Sequence, residues 1–313
     1  MNALGLAFCA AVLLAGGAAA AVRWRAACAD APATAEEAEC LAFLERNLPA
    51  RDRGVVSRGL LLRHARLALA ARRATPWAAA VPWEIFLNDV LPHRQLDEPI
   101  DIEWRPLFAQ RFAPLVAGAA SLADAAQALN AGIWAACGGI HFVPDKSPEI
   151  MSPGQVLAAG YASCTGLSIF LADACRAFGI PARVAGTPSW LVDRRDGPHE
   201  RFNNHNWVEV WNDGAWSFTG AAEFDARGFN RTWFFPQPAK GQRPGDTWHA
   251  IYAASYRRTG TPFPLAWAPR DRSVWGVDVT QAYLDTPPPP SGGTEADGAG
   301  AGAAGGGAVA AAR

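Results

Sequence analysis

The clearest hydrophobic pattern near the middle of the chain is helical. Apolar residues recur at helical spacing from Leu167 to Phe178, Ser163 can cap the start, and Gly179 ends the pattern. Three- and four-residue spacing between a capping residue and a glycine is typical of an amphipathic helix. The sequence therefore predicts a helix with Cys164 in its first turn.

About forty residues later the pattern changes to strict alternation. The segment His205–Trp211 alternates, which predicts a strand with His205 and Trp207 on one face and Asn206 on the other. An Asp-Gly dipeptide follows, and residues 215–219 alternate again. Two alternating runs around such a dipeptide predict a β-hairpin.

Most of the N-terminal half follows helical patterns. A first helix is predicted around Glu36 and Glu39, and a second from Val55 to Arg73. A third pattern, Ser121–Trp134, begins with a capping residue and has its apolar side chains at core spacing. We therefore expect a helical region before residue 150 and a mixed helix and sheet region after it.

Both ends of the chain differ from the rest. Residues 1–22 carry no charged side chain and centre on the apolar run Leu4–Leu14, which is typical of a signal peptide and predicts a secreted, periplasmic or otherwise exported protein. Arg23 and Arg25 after this run are compatible with an uncleaved anchor, the one case in which a membrane contact is expected. Residues 286–313, rich in Pro, Gly and Ala, are predicted to form a disordered tail.

Composition narrows the possible functions. The chain has 313 residues, half of them hydrophobic and 18% charged, which is enough to bury a large core. Its formal net charge of -1 argues against a nucleic-acid partner. Neither Cys-x-x-Cys nor His-Glu-x-x-His occurs, so neither a metal site nor a cofactor is expected.

The cysteines allow two interpretations. Cys164 and Cys175 cannot pair, because eleven residues of helix separate them by roughly 16 Å. If the protein is exported, disulfides Cys28–Cys40 and Cys137–Cys175 would leave Cys164 as the free thiol. In the alternative, all the cysteines are reduced and Cys137 and Cys175 are small buried side chains.

The helix and the strand together suggest nucleophilic chemistry. The unpaired N–H groups and the dipole at a helix start favour the thiolate of Cys164. An imidazole at the head of an adjacent strand, His205, could take the thiol proton, so that a thioester acyl-enzyme forms. The Cys164 backbone N–H is an expected oxyanion donor, and Gln155 is a second candidate.

Three sequence runs carry a family resemblance: Gly160–Gly166, Ala174–Arg183 and His205–Trp211. They resemble the transglutaminase-like superfamily over roughly residues 150–225, and a weaker similarity to its secreted bacterial-type members extends upstream to Pro82–Pro92. The resemblance implies a papain-type triad of Cys, His and usually Asp. It also implies an α+β fold, in which a papain-like transglutaminase core has a helix carrying the Cys packed on an antiparallel sheet carrying the His.

One position departs from that family. The resemblance places the Asp four residues after Trp216, where this chain has Gly220. We expect Glu223 to orient His205 instead, with Asp225 next and Asn206 as a further candidate.

These patterns lead to one functional expectation and one alternative. We expect a helical extension over residues 23–150 and a transglutaminase-like core with an aromatic-rich layer over residues 151–285. The expected activity is cysteine-dependent acyl transfer on peptide or protein amides, with hydrolysis favoured over cross-linking. The alternative is a binding or scaffold module that has the fold without the chemistry.

Overall fold

The computed structural model describes residues 32–191 and 204–289. The predicted signal peptide, Cys28 and the tail from residue 290 lie outside these residues. No described helix is both long enough and apolar enough to cross a membrane.

Helices dominate the region before residue 140. They are α1 Ala35–Asn47, α2 Arg58–Ala74, α3 Pro76–Ala79, α4 Trp83–Asp89, α5 Trp104–Arg111, α6 Ala113–Val116 and α7 Leu122–Ala136. Helix α2 begins three residues later than predicted, because Ser57 accepts a hydrogen bond from the Leu60 N–H and so caps the helix there, while Val55 remains exposed in a turn. The predicted cap of α7 is confirmed, since Ser121 accepts from the Asp124 N–H.

The second half combines short elements with one long helix and a sheet. In chain order they are β1 His141–Phe142, α8 Pro153–Ala159, β2 Tyr161–Ala162, α9 Cys164–Ala177, β3 Ala182–Thr187, β4 His205–Asn212, β5 Ala215–Thr219, β6 Tyr252–Ser255, β7 Trp275–Asp278 and α10 Thr280–Asp285. Short 3₁₀ turns occur at Ala50–Asp52, Pro144–Lys146 and Ala239–Gly241. Strands β1 and β2 form a small parallel pair.

Five antiparallel strands make the main sheet, in the order β5-β4-β3-β6-β7. The predicted hairpin of β4 and β5 is confirmed, and Asp213 and Gly214 both have positive φ, as a tight two-residue turn requires. The register pairs Val208 with Thr219. Side-chain alternation therefore puts position 220 on the same face as His205.

The sheet separates two apolar clusters. Val208 and Val210 of β4 join the large cluster that contains α9, whereas Trp207 and Phe218 belong to a cluster on the opposite face. Helix α9 is enclosed, because every residue from Thr165 to Ala177 is buried. The predicted α+β class, with a helix beginning at cysteine packed on an antiparallel sheet and a helical N-terminal region, is confirmed.

The cysteine pairing does not agree with the disulfide prediction. Cys137 and Cys175 are free, so the predicted bond between them is absent, and Cys40 is free as well. Cys40 and Cys175 are buried in the large apolar cluster and Cys137 packs against it. Burial raises the pKa of Cys40 and of Cys175 to about 12. These thiols therefore act as small apolar side chains, which is the reduced alternative considered above.

Candidate active site

Cys164 is the first residue of α9, as predicted. The first hydrogen bond of the helix runs from the Leu167 N–H to the Ser163 carbonyl, so the N–H groups of Cys164 and Thr165 are not used within the helix. Ser163 stands at the cap position, but its hydroxyl is buried without a hydrogen-bond partner among the described residues. Backbone donors of this kind at a helix start can stabilise an oxyanion.

Asn206 ties the start of α9 to the strand that carries the histidine. Its side-chain Nδ2 donates to Thr165 Oγ1 at 2.8 Å, and its backbone hydrogen-bonds to the Cys164 thiol. Asn206 can approach this closely because its amide packs against Gly186 of β3, where a Cβ would overlap it. Asn206 therefore positions Cys164, and in this structure its side chain bonds to Thr165 instead of to His205.

His205 is enclosed by aromatic rings. The ring centroids of Trp233, Phe234 and Trp207 lie 5.0, 5.3 and 5.6 Å from that of the imidazole, and Trp190 lies at 6.4 Å. Burial among these rings lowers the pKa of His205 from 6.5 to about 3. Its Nε2 is buried and has no hydrogen-bond partner among the described residues.

The thiol and the imidazole are both neutral in the resting site. Burial raises the pKa of Cys164, and the Glu223 carboxylate adds to this, whereas hydrogen bonds from Asn206 and Thr165 act in the opposite direction. The expectation that the helix start would lower the thiol pKa is therefore wrong, because burial outweighs the backbone donors. If Cys164 acts as a nucleophile, its proton would therefore have to leave during the attack rather than before it.

The Glu223 side chain fills the place that a residue-220 side chain would take. A Cβ on Gly220 would lie 2.8 Å from Glu223 Cβ and would overlap the Glu223 carboxylate. This carboxylate has a hydrogen bond from the Trp233 side chain, and the packing around the carboxylate raises its pKa, although Glu223 as a whole is exposed. A carboxylate therefore lies beside the main chain at the position where the family resemblance places Asp.

Asn130 of α7 anchors the loop that carries Glu223. Its Nδ2 donates to the Gly220 carbonyl at 2.9 Å and to Thr219 Oγ1 at 3.0 Å, and its Oδ1 accepts from the Ala222 N–H at 3.1 Å. Asn130 is itself buried. One amide thus holds three points of the chain between β5 and Glu223.

The two remaining candidates serve other purposes. Asp225 accepts from Arg227 through both carboxylate oxygens, at 2.9 and 2.6 Å, and these bonds lower its pKa to about 2. Gln155 belongs to a capping box of α8, in which its Oε1 accepts from the Ser152 N–H at 2.9 Å, and its side chain is exposed. The structure therefore gives Asp225 an ion pair and Gln155 a capping role, instead of contacts with His205 or an oxyanion.

Two site residues were not identified from the sequence. Thr165 follows Cys164 and contacts both its thiol and Asn206. Trp233 contacts His205 and Glu223, although it comes from the irregular segment after the hairpin. The aromatic enrichment of that segment was the available signal, but it gave no indication of which ring would reach the site.

A cleft of about 610 Å³ opens beside Glu223. This volume is within the range of small-ligand and peptide-side-chain sites. It is lined by Glu223, Phe224, Asp225, Arg227, Arg231, Thr232, Trp233, Phe235 and Pro289. Within residues 32–191 and 204–289, no group of three or more His, Cys, Asp or Glu side chains could hold a metal ion.

Comparisons with known proteins agree with this geometry over part of the chain. Residues 110–220 match the model of the transglutaminase-like superfamily, which is about a third of the chain and includes Cys164, His205 and Gly220. No curated protein matches the sequence.

Among solved structures, the chain is similar to one from Cytophaga hutchinsonii described as a "Putative Cysteine Protease". The identity is 14% and the TM-score 0.36, with 50% of this chain and 47% of that chain covered, so the match spans about half of the solved structure. The superfamily match thus covers the part of the chain in which Cys164 begins α9 and His205 begins β4.

Proposed function

We propose that the protein is a cysteine-dependent acyl transferase that acts on peptide or side-chain amides, with water as the favoured acceptor. The observation that carries this proposal is the link through Asn206. Its backbone reaches the Cys164 thiol, and its neighbour in β4 is His205. A thiol at a helix start beside a strand-borne imidazole is the arrangement that cysteine acyl transfer needs.

The proposed reaction has two steps. Cys164 Sγ attacks the amide carbonyl while its proton passes to the imidazole, and the backbone N–H groups at the start of α9 stabilise the oxyanion. The C–N bond breaks, the imidazolium returns the proton to the departing amine or ammonia, and a thioester remains. Water then attacks the thioester with His205 as the base, which releases the carboxylic acid and restores the thiol.

Glu223 is the proposed third member of the site. Its carboxylate lies over Gly220, on the face of the sheet that carries His205, and the buried Nε2 of His205 lacks a partner among the described residues. A rotation of the side chain from the Trp233 indole towards the imidazole would supply that partner. The resulting charge would stabilise the imidazolium that forms during the reaction.

The activity is tested by incubating the protein with a library of peptide amides and measuring the release of ammonia and amines. We expect turnover that Cys164→Ala and His205→Gln each abolish, and a mass increase on Cys164 when the reaction is quenched with acid. Adding a biotinylated primary amine separates the acceptors, since cross-linking would incorporate biotin, whereas hydrolysis would release product without it.

A scaffold function is the second candidate. Gly220 in place of Asp and the neutral resting pair both favour it, because a site without an oriented, ionised histidine can be inactive. Absence of turnover and of any Cys164 adduct across the library would support this candidate.

Export of the protein is part of the main proposal, and N-terminal sequencing of the exported form would test cleavage near residue 22.

A further inference from the structure

The cleft beside Glu223 contains two acidic side chains, and each already has a donor. Asp225 uses both carboxylate oxygens to bind Arg227. Glu223 has its hydrogen bond from the side chain of Trp233. Neither acid is therefore placed to attract a positively charged group from a substrate.

Two hydrogen-bond donors that line the same cleft have no partner among the described residues. The Thr232 hydroxyl is buried and has no hydrogen-bond partner in the described part of the chain. The guanidinium of the preceding residue, Arg231, makes no hydrogen bond or ion pair with any described residue, although it lies within electrostatic range of Asp225. A buried hydroxyl without a partner costs free energy, which a ligand acceptor would offset.

We propose that the cleft binds a carboxylate of the peptide substrate, held by the Arg231 guanidinium and by the Thr232 hydroxyl once the threonine side chain turns into the cleft. This inference rests on the proposed acyl transfer, and it defines the substrate class as peptides that carry a carboxylate close to the reacting amide. A guanidinium suits this role because its planar set of donors matches the two oxygens of a carboxylate.

Aromatic side chains on the rim provide a surface for the rest of the peptide. Trp233 is 59% exposed and Phe224 is 44% exposed, which is unusual for rings of this size. Trp233 also contacts His205, so it joins the carboxylate-binding wall to the reacting centre. A peptide lying on Trp233 would thus present its amide to the site while its carboxylate lies in the cleft.

The carboxylate can come from the C-terminus of a peptide or from an Asp or Glu side chain. Four acetylated pentapeptides separate these sources. The first is neutral, with a central glutamine among alanines and an amidated C-terminus. The second has the free C-terminal carboxylate, the third carries glutamate next to the central glutamine, and the fourth carries glutamine at that same position.

Binding is measured calorimetrically to the full chain carrying Cys164→Ala, which prevents turnover. We expect at least one of the carboxylate peptides to bind about tenfold more tightly than its neutral counterpart, as expected for a charge-assisted pair. Arg231→Gln should bring this ratio to within about twofold, and Thr232→Val, which keeps the shape and removes the hydroxyl, should lower it several-fold.

Arg270→Gln is the matched control, because Arg270 is exposed, does not line the cleft, and loses the same charge on substitution. It should leave the preference unchanged. Equal binding of charged and neutral peptides, no binding of any carboxylate peptide at millimolar concentration, or an equal loss in both arginine variants would overturn the inference. Turnover of the wild type is scored separately, so failure of acyl transfer and failure of carboxylate recognition remain distinguishable.

Discussion

Replacing Glu223 by Gln removes a carboxylate that lies on the same face of the sheet as His205, while keeping the shape of the side chain. The pKa of His205 falls from 6.5 to about 3 because burial removes water. Protonating this imidazole during the reaction therefore costs about 5 kcal/mol more than in water. If the Glu223 side chain turns to the imidazole as proposed, a carboxylate at about 4 to 5 Å, with an effective dielectric constant of about 20, would offset roughly 3 to 4 kcal/mol of that cost.

We therefore expect Glu223→Gln to lower kcat by about a hundredfold to a thousandfold, with a smaller change in KM. The resting thiol should respond in the opposite direction. The Glu223 carboxylate raises the pKa of Cys164, so its removal should leave alkylation by iodoacetamide unchanged or slightly faster. Release of ammonia and amines from the peptide-amide library measures the first effect, and mass spectrometry of the alkylated protein measures the second.

Asp225→Asn is the matched control, because this carboxylate lies in the same loop but is bound to Arg227. Its kcat should stay within about threefold of the wild type. Thermal unfolding curves must show that both variants are folded. The role of Glu223 would be refuted if Glu223→Gln kept turnover within about threefold, or if Asp225→Asn lost as much activity.

Other consequences of the structure can be measured directly. The rate of Cys164 alkylation should rise with pH and show no plateau between about pH 4 and about pH 8, because burial keeps the thiol and the imidazole neutral at rest. His205→Ala should not change this profile. A low-pH plateau that this variant removes would instead indicate a thiolate–imidazolium pair. Gly220→Ala should lower the free energy of unfolding by about 1–3 kcal/mol in chemical denaturation, because the new methyl group overlaps the Glu223 side chain, and it should also lower turnover. An unchanged free energy of unfolding would show that the loop can move without cost, contrary to this prediction. Alkylation of the unfolded, unreduced protein should label Cys137 and Cys175, and a mass short by two hydrogens with both sites unlabelled would restore the disulfide prediction.

The parts of the site that local sequence controls could be predicted. Cys164 was placed at a helix start because the capping position and the apolar spacing lie within one turn of it. The strand that begins at His205 was predicted because alternation and the Asp-Gly turn are short-range signals. The same local reasoning placed the start of α2 too early, at the apolar Val55, because the helix begins only after its cap, Ser57.

The parts that depend on distant contacts could not be predicted. Asn130 reaches Gly220 across 90 residues, and no spacing rule connects a helix amide to a loop carbonyl. The pKa of Cys164 was expected to fall because a helix start is visible in the sequence, whereas the burial that raises this pKa depends on how α9 packs. The presence of a carboxylate near the third triad position was anticipated, but its contact with Trp233 requires the folded chain.

The enclosure of α9 divides the site into a stiff and an adaptable part. Amide hydrogens of a helix buried on all sides exchange with solvent only when the whole domain opens, so those of α9 should be among the slowest in the protein. The loop from Ala221 to Asp225 is largely exposed and is held by the hydrogen bond from the Ala222 N–H to Asn130, so its amide hydrogens should exchange much earlier. Substrates of different shape would then be accommodated by movement of the Glu223 loop relative to a fixed Cys164. Changes in substrate range should therefore arise from substitutions in the segment after β5 rather than in α9.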